Sequence, residues 1–357
     1  MIPGYSCGLW LAVKLRAPAA PRRRISNEPD AGHGRVKLAR TALAAALLAS
    51  AACEPRLRAP APGPPLRIVE PATGSPLSEV YPPASLPGEP VKAAVFERIN
   101  RDRAEQGLAP VAWDEAASRV ADEFCAAQIA ERTHGHYLRD GLPPYARTAL
   151  AGVFGYEAQN SSSWLTTAAS FPDTPMDLAL SAHRSMMEET PPDDGHRRTI
   201  LDPQATHVGV GWSMSGGRFQ IAQEFLTREF ERLMLTTQDR APAPVVQMRG
   251  APRSPLRIEF VTMAREPLPV PLTQAEANAR TSYRYPRPSQ SYVPEGHTWL
   301  RVSDTLTLDR IHLGHDRDFS LTFAPEEPGL FTFVFWVSSR GGEQPRPGGS
   351  AVIRVES

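Results

Sequence analysis

The apolar residues of this chain change their period partway along, and that change limits it to a mixed helix-and-sheet part followed by an all-strand part. Val91, Val95 and Ile99 recur at every fourth position, with Glu97, Arg101 and Asp102 on the other faces, which predicts an amphipathic helix ending near Gly107. Asp114 is placed to cap a second helix whose buried face is Ala117, Val120, Ala121, Phe124 and Ala127 or Gln128. The stretch from His134 to Asn160 is rich in Gly, Pro and Tyr and predicts loop with one short helical piece at Tyr145–Ala151. A further helix is expected from Met176 to about Glu189, then a turn at Pro191–Gly195. Alternating runs Thr206–Met214 and Phe219–Phe225 read as a hairpin turning through Ser213–Gly217.

Beyond Arg240 the pattern holds strands and no helices. Ile258 and Phe260, then Trp299–Leu308, Asp318–Phe323, Leu330–Val337 and Ala351–Val355 read as strands of an immunoglobulin-like β-sandwich. The fold class is therefore α+β, with a boundary at about residue 240 in the hinge-like Ala241–Pro244. No cluster of His, Cys and carboxylates falls in residues 241–357, so that part reads as a structural domain.

In front of residue 91 the composition is different. Glu54–Pro90 is dominated by Ala-Pro and Pro-Pro pairs and reads as an extended, semi-rigid tether. Residues 1–53 read as an export region. From Val36 the order is Lys37 and Arg40, an apolar run, then small residues up to Cys53, which is the order of a secretory signal. The run is too short to span a bilayer. A cysteine at the cleavage site resembles a bacterial lipoprotein signal, implying lipidation of Cys53 and a membrane anchor, although Ser50 stands where Leu is usual. Ordinary secretion is the alternative. The stretch before Val36 does not suit such a signal, and translation is expected to start near Val36.

Formal net charge is +0, so no bulk attraction to nucleic acid or anionic membrane is implied. Of the three cysteines, Cys7, Cys53 and Cys125, no regular set predicts a disulfide framework, and Cys125 reads as a small buried thiol.

The chemistry lies in HGHYLRDG, YEAQN, MMEE and GHRRTILDPQATHVGVGW. Two histidines near carboxylates serve either as donors to a divalent metal or as a general acid and base around a polar substrate. Their wide spacing leaves the choice to the fold. GHRRTILDPQATHVGVGW resembles the signature of the CAP superfamily, the cysteine-rich secretory protein, antigen 5 and pathogenesis-related type. Asn100, Arg103, Gly107, Leu108, Pro110, Trp113 and Asp114 resemble its opening helix and turn, His136, Gly141 and Arg147 its first-histidine segment, and Gln223 and Phe225 its final strand.

The resemblance spans Val91 to about Phe225 and implies an α-β-α sandwich with an open cleft holding two histidines and two acids. It assigns His136 and His196 as the histidines and Glu188 as the second acid, with Glu189 the alternative. At the first acid this chain has Gln159 before Asn160, and Glu157 is the nearby substitute. His136, Glu188 and His196 are thus the expected metal donors, for zinc or calcium. His134 and His183 read as surface residues, His207, Trp113 and Trp212 as packing residues, and Ser161–Ser163 as a flexible loop without a nucleophile motif. The expected function is an exported ligand-binding module for a metal, lipid, sterol or peptide. A metal-dependent hydrolase of peptide or envelope polymer and an inert envelope protein are the alternatives.

Overall fold

Helix α1 (Pro90–Glu105) begins where Glu89 accepts hydrogen bonds from the main-chain N–H groups of Val91 and Lys92, with Pro90 in the first turn where its missing N–H costs nothing. This is a computed structural model, and it describes residues 66–69, 87–168, 170–238, 244–294, 307–313, 318–339 and 344–357. The export region, with Cys7 and Cys53, lies outside the described residues. No helix among the described residues is long and apolar enough to cross a membrane. Strand β1 (Arg67–Val69) falls inside the stretch read as tether; its half-buried Ile68 packs on the C-terminal core.

A four-stranded sheet sits between helices. Its order is β2 (Ala112–Trp113), β4 (His207–Ser215), β5 (Arg218–Thr227), β3 (Tyr156–Leu165), with β2 parallel to β4 and the other pairs antiparallel. One face carries Val208, Val210, Phe219, Ile221 and Phe225. They bury against Val95 and Ile99 of α1 and against Leu178, Ala182 and Met186 of α4 (Pro175–Met187). On the other face α2 (Glu115–Glu131) lies directly on β4. A Cβ added at Gly209 would come within 2.2 Å of Ser118 N, and one at Gly211 within 2.2 Å of Asp122 N. Both glycines are therefore required by backbone approach. The Ser118 hydroxyl donates to Val210 O at 2.7 Å, and the fully buried Cys125 thiol donates to Gly211 O at 3.5 Å. This α-β-α arrangement is the one the CAP resemblance implies.

Strand β3 differs from expectation. The serines read as flexible loop are strand residues, in register with Ala222, Ile221 and Gln220 of β5. Ser163 donates to Gln220 Oε1 at 2.5 Å, so a polar run holds its place by side-chain hydrogen bonds.

The C-terminal strands form a nine-stranded sheet. In spatial order they are β1, β13 (Arg346–Glu356), β12 (Gly329–Ser339), β8 (Leu256–Glu266), β9 (Gln290–Pro294), β10 (Thr307–Leu313), β11 (Phe319–Phe323), β7 (Val245–Pro252) and β6 (Phe230–Gln238). The two ends of this order share one core. Phe335 of β12 meets Phe230 of β6 and Phe319 of β11, each with ring centroids 5.6 Å apart. Burying each ring contributes roughly 1.5–3 kcal/mol. The layers make a β-sandwich.

Two particulars depart from the sequence reading, and a third falls outside the described residues. A short helix, α6 (Gln274–Ala279), interrupts the strands, started by a Thr273–Glu276 capping box. The strand expected at Trp299–Leu308 lies outside the described residues except at Thr307 and Leu308, where β10 begins. The change of sheet falls near Arg228 instead of residue 240, because β6 pairs with β7 in the second sheet. At that junction Arg228 pairs with Asp114, the cap of α2, while Glu229 bonds to Arg346 and to the carbonyl of Gly348. The described residues belong to one compact unit.

Candidate functional site

His136 lies on the loop between α2 and α3 (Pro144–Leu150). Gln128 donates to Gly135 O at 2.9 Å, and the buried Arg147 donates to the carbonyls of His136 and Leu142 at 3.1 and 3.0 Å. The Arg147 guanidinium rests on the Phe124 ring, 4.4 Å from its centroid. The loop is thus tied to α2 from below.

His196 opens α5 (Gly195–Ile200). Glu189 accepts its main-chain N–H at 2.9 Å and also its ring Nδ1. The buried Arg103 secures the far end of α5 by donating to the carbonyls of Ile200 and Asp202 at 2.8 Å. Asn160 bonds to the carbonyl of His196 at 3.1 Å and to Gln223, which reaches Nδ1 of His183. His183, read as a surface residue, is buried and bonds through Nε2 to Asp102 at 2.7 Å. Leu178, Ala179, Ala182 and Met186 mark the inner face of α4 at helical spacing, and His183 falls on that face with them.

A cavity of about 350 Å³ opens between these parts. Among its lining residues are His136, Gln159, Asn160, Glu189, Asp193 and His196. Three of the four expected cleft residues, His136, Gln159 and His196, come together. Glu188 does not: it caps the C-terminus of α4 and is exposed, and its neighbour Glu189 takes the place beside His196. One residue around a helix end turns a side chain by about 100°, which decides between them.

Gln159 is not a bystander. Its Nε2 donates to Glu224 Oε1 at 2.7 Å, so its Oε1 faces His136 Nδ1, at 2.9 Å. A carbonyl oxygen only accepts, so Nδ1 carries the proton and His136 keeps its Nε2 lone pair free. Glu157, on the same side of β3, contacts Glu224 and Tyr283 and does not substitute for Gln159 against His136. Glu224 was missed from the sequence; its only signal was a charged residue at an inward position of an alternating strand.

Burial lowers the His136 pKa to about 4, with further lowering by His196 and Arg147. Burial raises both Glu157 and Glu224, Glu157 the more because a second carboxyl stands against it. The pair therefore retains a proton well above the usual carboxylate range. His207 is also lowered to about 4 by burial; its Nδ1 meets Thr206 Oγ1 at 2.8 Å, a packing role. His134 is exposed, and its main-chain N–H bonds to Asn278.

The expected metal donors do not form a set. Glu188 is exposed and lies outside the cleft lining, while each imidazole is held through Nδ1 and leaves Nε2 as its ring nitrogen for a ligand. Among the described residues, no three His, Cys, Asp or Glu side chains are grouped to hold a metal ion.

Residues 96–228 match the profile of the Cysteine-rich secretory protein family, CAP. Uncharacterized protein YkwD of Bacillus subtilis (strain 168) is 26% identical over 123 residues, 34% of this chain and 42% of that protein. The alignment thus spans less than half the length of that relative. An outer surface protein from Borrelia burgdorferi matches at 14% identity, over 40% of this chain and 95% of that one, with a TM-score of 0.32. An extracellular protein containing a SCP domain from Bacillus anthracis matches at 21% identity, over 40% of this chain and 45% of that one, with a TM-score of 0.29.

Proposed function

We propose that this chain, whose residues 96–228 match the CAP profile, is an exported module that binds an extended, polar peptide in the His136–His196 cleft. The observation that carries this reading is the lining. Two imidazoles held through Nδ1 with Nε2 left over, the side chains of Asp193 and Ser282, and tyrosine rings offer hydrogen bonds and flat apolar surface together. Such a surface suits main-chain amides and flat side chains better than a sterol or acyl chain.

Export is supported by the basic, apolar and small-residue order ending at Cys53, and lipidation there gives the membrane anchor. A lipidated amino-terminal cysteine carries more than one acyl chain, which is what stable anchoring needs. Cys53→Ser is then expected to release the protein from the membrane fraction; a variant that stays bound removes the anchor from the proposal.

One observation favours a second reading. Glu189 holds His196 as a carboxylate orients a general base, with Nε2 left for a substrate. The cleft would then cleave the peptide it binds. A library of extended peptides, immobilised and probed with the full chain, tests both. Binding that weakens at least tenfold in His196→Ala and Asn160→Ala supports the module, and cleavage lost in Glu189→Gln supports the hydrolase. No peptide retained, or retention equal in the variants, rejects the cleft as a peptide site.

A further inference from the structure

Strand β3 is an edge of its sheet, so the N–H groups on its outer side have no neighbouring strand to bond. Tyrosine hydroxyls fill two of these positions. The main-chain N–H of Gln159 donates to Tyr283 Oη at 2.5 Å, and that of Glu157 donates to Tyr285 Oη at 2.9 Å. Both pairs are spaced two apart, so the extended segment 281–285 follows the edge antiparallel to it, with the period of a strand. Pro286 and Pro288 lack the N–H groups that would continue a ladder.

Tyr283 does more than cap the edge. Its hydroxyl donates to both carboxylate oxygens of Glu157, at 3.1 and 3.2 Å, and its ring stands edge-on to His136 with centroids 5.0 Å apart. Tyr285 is stacked between Tyr145 and Tyr156, at 4.5 and 4.3 Å. The preceding residues fasten this segment to the loop that carries His136. Leu272 N–H donates to Arg139 O at 2.7 Å, Gln274 to Arg132 O at 2.9 Å, and Asn278 accepts from His134 N–H at 2.9 Å. Residues 281–285 also line the cavity itself.

We infer that the cleft is a composite of both halves of the chain, with Tyr283 the positioning residue that holds the His136 imidazole and the Gln159 main chain in place. The consequence is that residues after 240 are part of the ligand site, and any ligand meets Tyr283, Arg284 and Tyr285 together with the histidines. The inference rests on reading this cavity as a ligand site, but its test reads the position of His136 and needs no ligand, so the two fail separately.

The test uses the full chain. Amide hydrogen exchange at Gln159 reports the Tyr283 hydroxyl, and the rate of diethyl pyrocarbonate modification of His136, relative to His196, reports the ring. In Tyr283→Phe, Gln159 exchange should rise at least tenfold while relative His136 modification stays as in the natural chain. In Tyr283→Ala both should rise, His136 several-fold over His196. Tyr285→Phe should raise exchange at Glu157 alone. If Tyr283→Ala leaves the His136 to His196 ratio unchanged, Tyr283 does not position the imidazole. If Tyr283→Phe leaves Gln159 exchange unchanged, the hydroxyl contact is absent. The phenylalanine variant keeps the ring packing and tests the hydroxyl contact even where alanine prevents folding.

Discussion

Gln159 donates its side-chain N–H to Glu224 at 2.7 Å, across the β3–β5 register that pairs the two residues. Where the CAP resemblance implies an acid, this chain has an amide, and an acid on the neighbouring strand receives the amide's hydrogen bond. Substituting Gln159→Glu therefore does not restore a simple cleft carboxylate. It puts a third buried carboxyl beside Glu157 and Glu224 and removes the donor that Glu224 uses. The variant should lose about 1–3 kcal/mol of stability.

That loss has a pH dependence of known sign. A carboxyl whose folded-state pKa is raised stabilises the fold below its unfolded value, and the contribution disappears as pH rises towards the folded value. Denaturant midpoints of Gln159→Glu should therefore fall further below those of the natural chain at pH 8 than at pH 5. Equal deficits at both pH values would mean that the new carboxyl reaches water.

His136 carries the opposite sign. Its folded-state pKa is about 4 against an ordinary 6.5, so the unfolded chain takes up the proton first on acidification. Its contribution is whole above pH 6.5 and is lost as pH falls towards 4. The slope for one such proton is at most about 1.4 kcal/mol per pH unit. His207 is lowered to the same value and His183 in the same direction, so part of the slope remains without His136. His136→Gln should flatten the stability profile between pH 6.5 and 4 and leave it unchanged above 7. A profile of unaltered slope would place the His136 imidazole in water.

Gly211→Ala tests why α2 lies so close to the sheet. The added Cβ would stand 2.2 Å from Asp122 N and 2.3 Å from Ala121 C, both backbone atoms that cannot rotate away. The helix must lift, which disturbs the Ser118 and Cys125 contacts with β4. A loss of about 3 kcal/mol or more in equilibrium unfolding is expected. Gly216→Ala is the contrast for space alone: nothing lies within 4 Å of its Cβ, although φ is +56° there, so its cost is backbone strain of about 1 kcal/mol.

The same glycines show what was legible in the sequence. The alternation in Thr206–Met214 marked a strand and the fourth-residue repeat at Val91, Val95 and Ile99 marked α1, whereas the close seat of α2 on Gly209 and Gly211 came only with the fold. Strand β3 was not legible, because YEAQNSSSWL has neither an apolar alternation nor β-branched residues. Its strand character comes from β5 on one side and tyrosine hydroxyls on the other, which are long-range partners. Glu188 and Glu189 adjoin in sequence, and only the course of the chain after α4 decides which meets His196. The contribution of Tyr283 was beyond sequence pattern altogether, since a Tyr-x-Tyr segment among prolines reads as an ordinary loop.

The last prediction concerns the division of the chain. The second-sheet strand β6 lies before residue 240, and its Phe230, Leu233 and Leu235 are buried in the sandwich core. A fragment of residues 91–240 would expose them and would also lose the tyrosines that cap Glu157 and Gln159. The complementary fragment 241–357 would lose the strand that pairs with β7. Neither piece is then expected to unfold cooperatively alone, while residues 87–357 should show one transition by circular dichroism and by tryptophan fluorescence at the same denaturant concentration. Moving the cut to residue 228 rescues the edge of the sandwich but not the β3 cap, so the amino-terminal piece should remain destabilised. Two separated transitions in the longer chain, or a cooperative 91–240 fragment, would show that the two sheets fold independently and that the contacts around Tyr283 add little to the stability of either.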